Sequence, residues 1–370
     1  MIKLAKPTID KLEINAVVNI LRTGNLVQGK YVQEFEDLLA SQLGVRHVVV
    51  VSSGTAALHL AILVLGIGPG DEVIVPDFTF PATANVVALT GAIPVPVDID
   101  PLTYNINPDL IAQNLTVRTK AILPVHLFGQ SAAMKSIRSL ARKHQLKVIE
   151  DAACAIGAVH HGHPCGCWGD LACFSFHPRK IITTGEGGAI ATNNSTYAKQ
   201  LRLLRNHGME VIKSKGVIDF VLPGFNYRMT DFQAALGIEQ MNKLDRIIAG
   251  RQQIARFYDQ HLSGVNGVFI PTIAKNNNHV YQSYVVRLDT SINRAKVISF
   301  LKAHGIEATI GTYALHCTSF YKRQRQFTKV SLPVSKLSVN QTLTLPFHGE
   351  LTNKDLKYIV DMLKQAIHEG

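Results

Sequence analysis

Between residues 45 and 192, short apolar, β-branched runs alternate with stretches whose apolar positions recur at helical spacing. VRHVVVVSS (45–53) precedes TAALHLAILVLGI, and DEVIVPD (71–77) precedes PATANVVALTG; AIPVPVDID, KAILPVHLFG, LKVIEDAA, LACFSF and GGAIATN follow in order. Apolar runs of about four to eight residues read as strands covered on both faces, and strands separated by about a dozen helical residues read as crossover units. The pattern predicts an α/β fold with a mostly parallel central sheet. After about residue 230 the pattern changes to longer helical stretches, DFQAALGIEQMNKLDRIIAGRQQIARFYDQHL being the clearest. A strand pair near YQSYVVRL, a helix over SINRAKVISFLKAHGI and a closing helix from Asn353 follow, while the Asn triplet at 276–278 reads as a loop. The expected division is a large α/β domain over 1–244, with an N-terminal arm and helix, and a smaller α+β domain over 245–370.

Composition supports a sizeable core: of 370 residues 46% are hydrophobic and 18% charged. No apolar run reaches the roughly 18 residues of a membrane helix. The start MIKLAKPTID lacks the apolar segment of a signal peptide, so a cytoplasmic location is the expectation. Cys154, Cys165, Cys167, Cys173 and Cys317 are too few, and odd in number, for a disulfide framework. The net charge of +11 favours anionic partners, but the basic residues are scattered. The densest cluster, YKRQRQ (321–326), stands beside no nucleic-acid-binding signature and reads as a solvated face.

Ligands of open α/β sheets sit at the carboxyl ends of the strands, so the residues just past each strand carry the candidate chemistry. SSGTAAL (52–58) opens a helix with small residues, a pattern suited either to a phosphate at the helix start or to simple capping by Ser53. VIEDAACA (148–155) ends a strand on a carboxylate pair; Asp151 can pair with a cationic ring nitrogen, hold a metal or cap a helix. In FSFHPRKIITTGEGGAI (174–190), Lys180 lies between an apolar triplet and a glycine-rich turn that implies a specified backbone path. Lysine there is a Schiff-base former or an ordinary surface cation. GFNYRMTDFQAAL (224–236) presents Asn226, Tyr227 and Arg228 just before a helix, as a turn and cap or as an anion-contacting cluster. GIGPGD (66–71) follows a helix and precedes a strand, the reverse of a dinucleotide fingerprint, and is a turn. Cys165 and Cys167 with His160, His161 and His163 lack a second half with metal-ligand spacing, so no metal site is expected.

Taken with FEDLLASQLGV, VDIDPLTYNI and ILPVHLFGQ, these ordered segments run almost continuously from 34 to 240 and resemble the DegT/DnrJ/EryC1/StrS family. These are pyridoxal-phosphate (PLP) sugar aminotransferases of fold type I, the aspartate aminotransferase fold. The resemblance implies that Lys180 is the Schiff-base lysine and Asp151 the partner of the pyridine nitrogen. It puts Phe80 on the cofactor ring, and Gly54, Thr55, Ala56 and Ser175 at its phosphate. It implies that Asn226 reaches the phosphate of the neighbouring subunit, with Arg228 near the substrate in the same loop, so that an obligatory homodimer shares its active sites. Cys154 departs from the family, which often has Gln or His there; a thiol is a weak hydrogen-bonding group, and the resemblance implies only a contact with the cofactor. Lys180 argues against the dehydratase branch, which carries His instead.

The implied reaction transfers an amino group from L-glutamate through pyridoxamine phosphate (PMP) to a nucleotide-linked keto-sugar. The N-terminal LAKPTIDKLEINAVVNILRTGNLVQGKYVQEFE looks more like relatives acting at C4 of 4-keto-6-deoxy sugars than at C3. The expected product is an amino-sugar nucleotide for surface polysaccharide or glycan synthesis. A cyclitol ketone as acceptor, or a non-enzymatic regulatory or nucleic-acid-binding relative, are the competing readings; an intact Lys180 and Asp151 disfavour the latter.

Overall fold

The computed structural model describes residues 1–212 and 216–369. The apolar runs become one seven-stranded sheet: β1 (His47–Val51), β2 (Glu72–Pro76), β3 (Ile93–Val97), β4 (Thr119–Ile122), β5 (Lys147–Asp151), β6 (Leu171–Ser175) and β7 (Gly188–Thr192). β2 and β7 are buried at every residue, which is why they appear as runs and not as alternations. The spatial order is β1-β7-β6-β5-β4-β2-β3. Neighbours from β6 to β3 are parallel, whereas β7 is antiparallel to both β6 and β1. The mostly parallel sheet is thus present with one reversed strand, and a strand buried on both faces carries no trace of its direction in sequence.

Helices α1 (Lys11–Thr23) and α2 (Lys30–Leu43) precede the sheet; α3 (Gly54–Val64), α4 (Ala82–Leu89) and α5 (Met134–Lys143) lie between its strands, and α6 (Ser195–Arg205) follows the last of them. α3 is apolar on nearly every side and is accordingly packed into the core, with Ala57, Leu60, Ala61 and Ile62 fully buried.

The long helical pattern after residue 230 divides into α7 (Asp231–Asn242) and α8 (Leu244–Leu262). The break falls at Lys243, which is buried and turns its ammonium toward Glu13 and Asp10 at the start of α1. Those partners are more than two hundred positions away, 233 for Asp10, so no local pattern shows the break. Leu244 and Ile248 pack under the large sheet, while Ile254, Tyr258 and Leu262 join a second core. That second core lies on an antiparallel sheet of β8 (Val268–Phe269), β9 (Tyr284–Leu288), β10 (Thr309–Ile310) and β11 (Thr342–Leu345), with α9 (Arg294–Ala303) and α10 (Asn353–Glu369) against it. YQSYVVRL supplies β9, which pairs with β8, the preceding strand of this sheet, as the expected strand pair, and on its other side with the distant β11. Two short segments return to the large sheet's side: Asn277–Asn278 pairs with Val159–His160, so the Asn triplet is not wholly a loop, and Tyr313–Ala314 pairs with Phe78–Thr79.

The edge at β1 is held by a buried ion pair. Glu36 of α2 accepts from the Val50 amide at 3.0 Å and meets Arg205 Nη1 at 2.6 Å, while the same guanidinium donates to the Val50 carbonyl at 2.6 Å. Removing one partner leaves the other charge buried and unpaired, which costs about 3 to 5 kcal/mol. Glu36→Ala should therefore destabilise the protein by about that amount in urea denaturation. A loss under about 1 kcal/mol would contradict this account of the edge.

Candidate active site

The carboxyl ends of β5, β6 and β2 and the start of α3 bring the predicted side chains together. Asp151, the last residue of β5, is buried. Its backbone is fixed on both sides, its N–H donating to Pro124 O and its carbonyl accepting from His126 N. Its side chain accepts from Thr83 Oγ1 at 2.8 Å and from the Ala153 amide at 3.2 Å. Burial raises the Asp151 carboxyl above the ordinary carboxylate range; these two hydrogen bonds and the nearby Lys180 charge oppose that shift.

Lys180 follows β6 on a loop closed by its own backbone. Phe176 N donates to Gly187 O, and Phe176 O accepts from Thr183 Oγ1 and from Thr184 N, both at 2.9 Å. Gly187 has to be glycine here, because a Cβ would sit 2.2 Å from Thr184 Oγ1. The glycine-rich turn therefore folds back against Phe176 and holds Lys180 half-buried above the strand end. Its ammonium donates to Cys154 Sγ at 3.2 Å.

Ser53 caps α3, its hydroxyl accepting from Ala56 N at 3.0 Å. The first intrahelical bond runs from Ala57 N to Ser53 O, so the Gly54 and Thr55 amides precede it and remain available to an anion. A Cβ at Gly54 would lie 2.7 Å from the Ser175 Cβ, so only glycine brings the helix start against the end of β6. Phe80, 62% exposed, offers a flat apolar face beside Tyr313, with ring centroids 6.2 Å apart.

Asn226 and Arg228 stand apart from this group. The Tyr227 carbonyl accepts from Ser52 N at 2.8 Å, which fastens their loop beside β1. Asn226 is exposed, and Arg228 Nη1 donates to Asn206 Oδ1 at 2.6 Å. Among the described residues neither is hydrogen-bonded to Lys180, Asp151 or Ser175. Sequence reasoning missed Thr83 and Asn206; both answer to partners far along the chain, and neither carries a local signal. Among the described residues, no group of three His, Cys, Asp or Glu side chains is arranged to hold a metal.

The residues fit PLP. A buried carboxylate supported, among the described residues, only by neutral donors calls for a cation such as a protonated ring nitrogen, the α3 amides suit a phosphate, and the Lys180 amine suits an aldehyde.

The profile of the DegT/DnrJ/EryC1/StrS aminotransferase family matches residues 7–364. The chain is 41% identical over 370 residues to the GDP-perosamine synthase of Caulobacter vibrioides, covering 99% of this chain and 98% of that one. It is 35% identical over 372 residues to the spore coat polysaccharide biosynthesis protein SpsC of Bacillus subtilis, covering 98% and 96%. Among solved structures it superposes on Spr1654 of Streptococcus pneumoniae, described as a sugar aminotransferase and solved in its PMP form, with a TM-score of 0.94, 28% identity and full coverage of both chains.

The raised Asp151 carboxyl favours folding below its unfolded pKa and opposes folding as the pH rises through the raised value. In the ligand-free protein, Asp151→Asn should therefore increase stability at neutral pH, by about 1 kcal/mol or more, and flatten its decline toward alkaline pH. Calorimetric scans at acid and alkaline pH measure this, and a variant less stable than wild type on the alkaline side contradicts it.

Proposed function

The chain belongs to the DegT/DnrJ/EryC1/StrS aminotransferase family, and from that premise we propose that it is a PLP-dependent enzyme moving an amino group from L-glutamate to a nucleotide-linked keto-sugar. The observation that carries the reading is the buried Asp151 carboxylate, which among the described residues has no cationic hydrogen-bond partner and lies close enough to Lys180 to feel its charge.

When bound, PLP supplies an electron-poor ring that takes up the electron pair released as a proton leaves the carbon bearing the amine nitrogen. Asp151 would hold the proton on the ring nitrogen. The Gly54 and Thr55 amides, the segment through Ala56 and the Ser175 hydroxyl would bind the phosphate, and Phe80 would cover the ring. Lys180 Nζ would act as the base that takes the α-proton of glutamate and as the acid that returns it on the far side of the amine nitrogen; for the keto-sugar the same atom would move the proton in the opposite sense. Cys154 holds that amine from one side through its 3.2 Å contact.

We assign Asn226 and Arg228 to the neighbouring subunit's site in a homodimer. Supporting this are the exposure of Asn226 and the adjoining hairpin of Met209–Ile212 and Val217–Phe220, which leaves Val211, Ile218 and Phe220 exposed. A contiguous apolar surface of that kind marks an association face. The Caulobacter relative is named for a GDP-linked sugar, so a GDP-linked 4-keto-6-deoxy sugar is the acceptor to try first. The name of the Bacillus relative supports a product destined for polysaccharide. Glutamate and nucleotide sugars as reactants agree with a cytoplasmic location.

Reconstituted protein should show a cofactor absorption band that shifts on adding glutamate, and borohydride should fix the cofactor on Lys180. Lys180→Ala should lose the covalent link and reduce turnover by about 100-fold to 10,000-fold. A variant that keeps both would sink the assignment, and comparison of GDP-linked with dTDP- and UDP-linked acceptors fixes the nucleotide.

A further inference from the structure

Four of the five cysteines are poorly placed for thiol chemistry. Cys165 and Cys173 are buried, and burial pushes both thiols up, Cys173 well above its ordinary range. Cys167 is pushed up to about 11, chiefly by burial. Cys317 is exposed, but partial burial and the Asp77 carboxylate raise it as well. Cys154 differs: it is half-buried and its sulfur is in direct contact with a primary amine, Lys180 Nζ, at 3.2 Å. That amine sits on a flexible four-carbon stem, so the two atoms can approach to bonding distance by a change of rotamer. The turn after β5 fixes the backbone that carries Cys154, since Ala155 N donates to Ala152 O, and the closed loop after β6 fixes the base of the lysine.

We propose that Cys154 and Lys180 form a peroxide-sensitive modification site, in which oxidation joins the two side chains through an S–N bond. In the first step the sulfur attacks one oxygen of hydrogen peroxide and the O–O bond breaks. The thiol proton leaves with the departing oxygen as water, giving a sulfenic acid. Sulfur is oxidised by two electrons and the peroxide is reduced by two. In the second step Lys180 gives its ammonium proton to solvent and the resulting amine attacks that sulfur, the S–O bond breaks, and hydroxide leaves with one amine proton as a second water. The balance is one thiol, one amine and one peroxide giving one sulfenamide and two waters. A thiol reductant attacks the sulfenamide sulfur and releases the amine, so the link is reversible.

The consequence follows from the amine's double use. While joined to sulfur, Lys180 can neither bind an aldehyde nor carry a proton; while joined to a cofactor aldehyde, it cannot attack the sulfenic acid. The site therefore blocks the ligand-free protein under oxidation and spares the loaded one. The proposal stands on the thiol–amine contact and holds whatever the sugar acceptor is.

The test treats ligand-free and PLP-loaded protein with a small excess of hydrogen peroxide, followed by digestion and mass spectrometry. The ligand-free sample should yield the Cys154 peptide joined to the Lys180 peptide, lighter than their sum by two hydrogens. Dithiothreitol should reverse the link, and the oxidised protein should lose PLP uptake until reduced. The loaded sample should lack the link and yield a dimedone adduct on Cys154. Lys180→Gln should do the same without PLP; if that variant fails to fold, the loaded wild type gives the same comparison. A Cys154 that stays a free thiol overturns the proposal, as does a dimedone adduct or sulfinic acid on Cys154 with no link in the ligand-free protein. Failure of the aminotransferase reading would appear separately, as absence of PLP uptake by the untreated protein.

Discussion

Two consecutive carboxylates are buried at the end of β5, and the organisation of the site depends on how differently they are satisfied. Successive side chains of a strand point to opposite faces, so Glu150 and Asp151 meet different neighbours. Glu150 accepts from the amides of Gly166, Trp168 and Gly169 at 2.9, 2.8 and 2.6 Å and meets His126 Nε2 at 2.8 Å. It is a saturated structural anchor that ties the hairpin after β5 to the sheet. Asp151 has one hydroxyl and one amide, both neutral. Burying a charge that incompletely is unfavourable, and the surrounding structure tolerates it because β5 is held in place by its parallel neighbours and by Glu150. The uncompensated charge is thereby kept at a strand end, beside the Lys180 amine, where a cationic ligand completes it.

Much of this was legible in sequence because it is local. The buried runs gave the strands, and motifs such as SSGTAAL and GEGG mark backbone paths that only small residues allow; Gly54 against Ser175 and Gly187 against Thr184 bear this out. What escaped is what depends on distant partners. The break at Lys243, the pairing of β9 with β11 and the support of Asp151 by Thr83 all arise from contacts between segments far apart in the chain. The sequence implies for Cys154 a contact with the cofactor, and in the folded chain its sulfur also accepts from the lysine amine at 3.2 Å. The positions of Asn226 and Arg228 pose a different problem, since their proposed roles require a second chain.

The smaller region also takes part in the site. Asp77, buried at the end of β2, accepts from the backbone N–H of His316 at 2.9 Å and meets its Nδ1 at 2.6 Å, while the Leu315 amide donates to the Asp77 carbonyl. With the pairing of Tyr313–Ala314 to Phe78–Thr79, this fastens a segment from the second half of the chain beside Phe80. The surface beside Phe80 is thus built from both regions, whereas the Lys180, Asp151 and α3 group lies wholly in the first. Under the proposed function this arrangement would separate the parts that move the proton from those that shape the acceptor.

The proposed dimer adds a thermodynamic coupling to this division. If Asn226 completes the phosphate site of the partner, the cofactor binds the assembled pair more tightly than either chain alone, and by linkage the cofactor must stabilise the pair to the same degree. The exposed Val211, Ile218 and Phe220 would then supply association energy that does not depend on the cofactor. The hairpin that carries them is a two-stranded ribbon, an element only marginally stable without packing against something else. Its order, the closure of the phosphate site and the retention of the cofactor are on this account one equilibrium, in which the apolar hairpin provides most of the affinity and Asn226 makes that affinity sensitive to the cofactor.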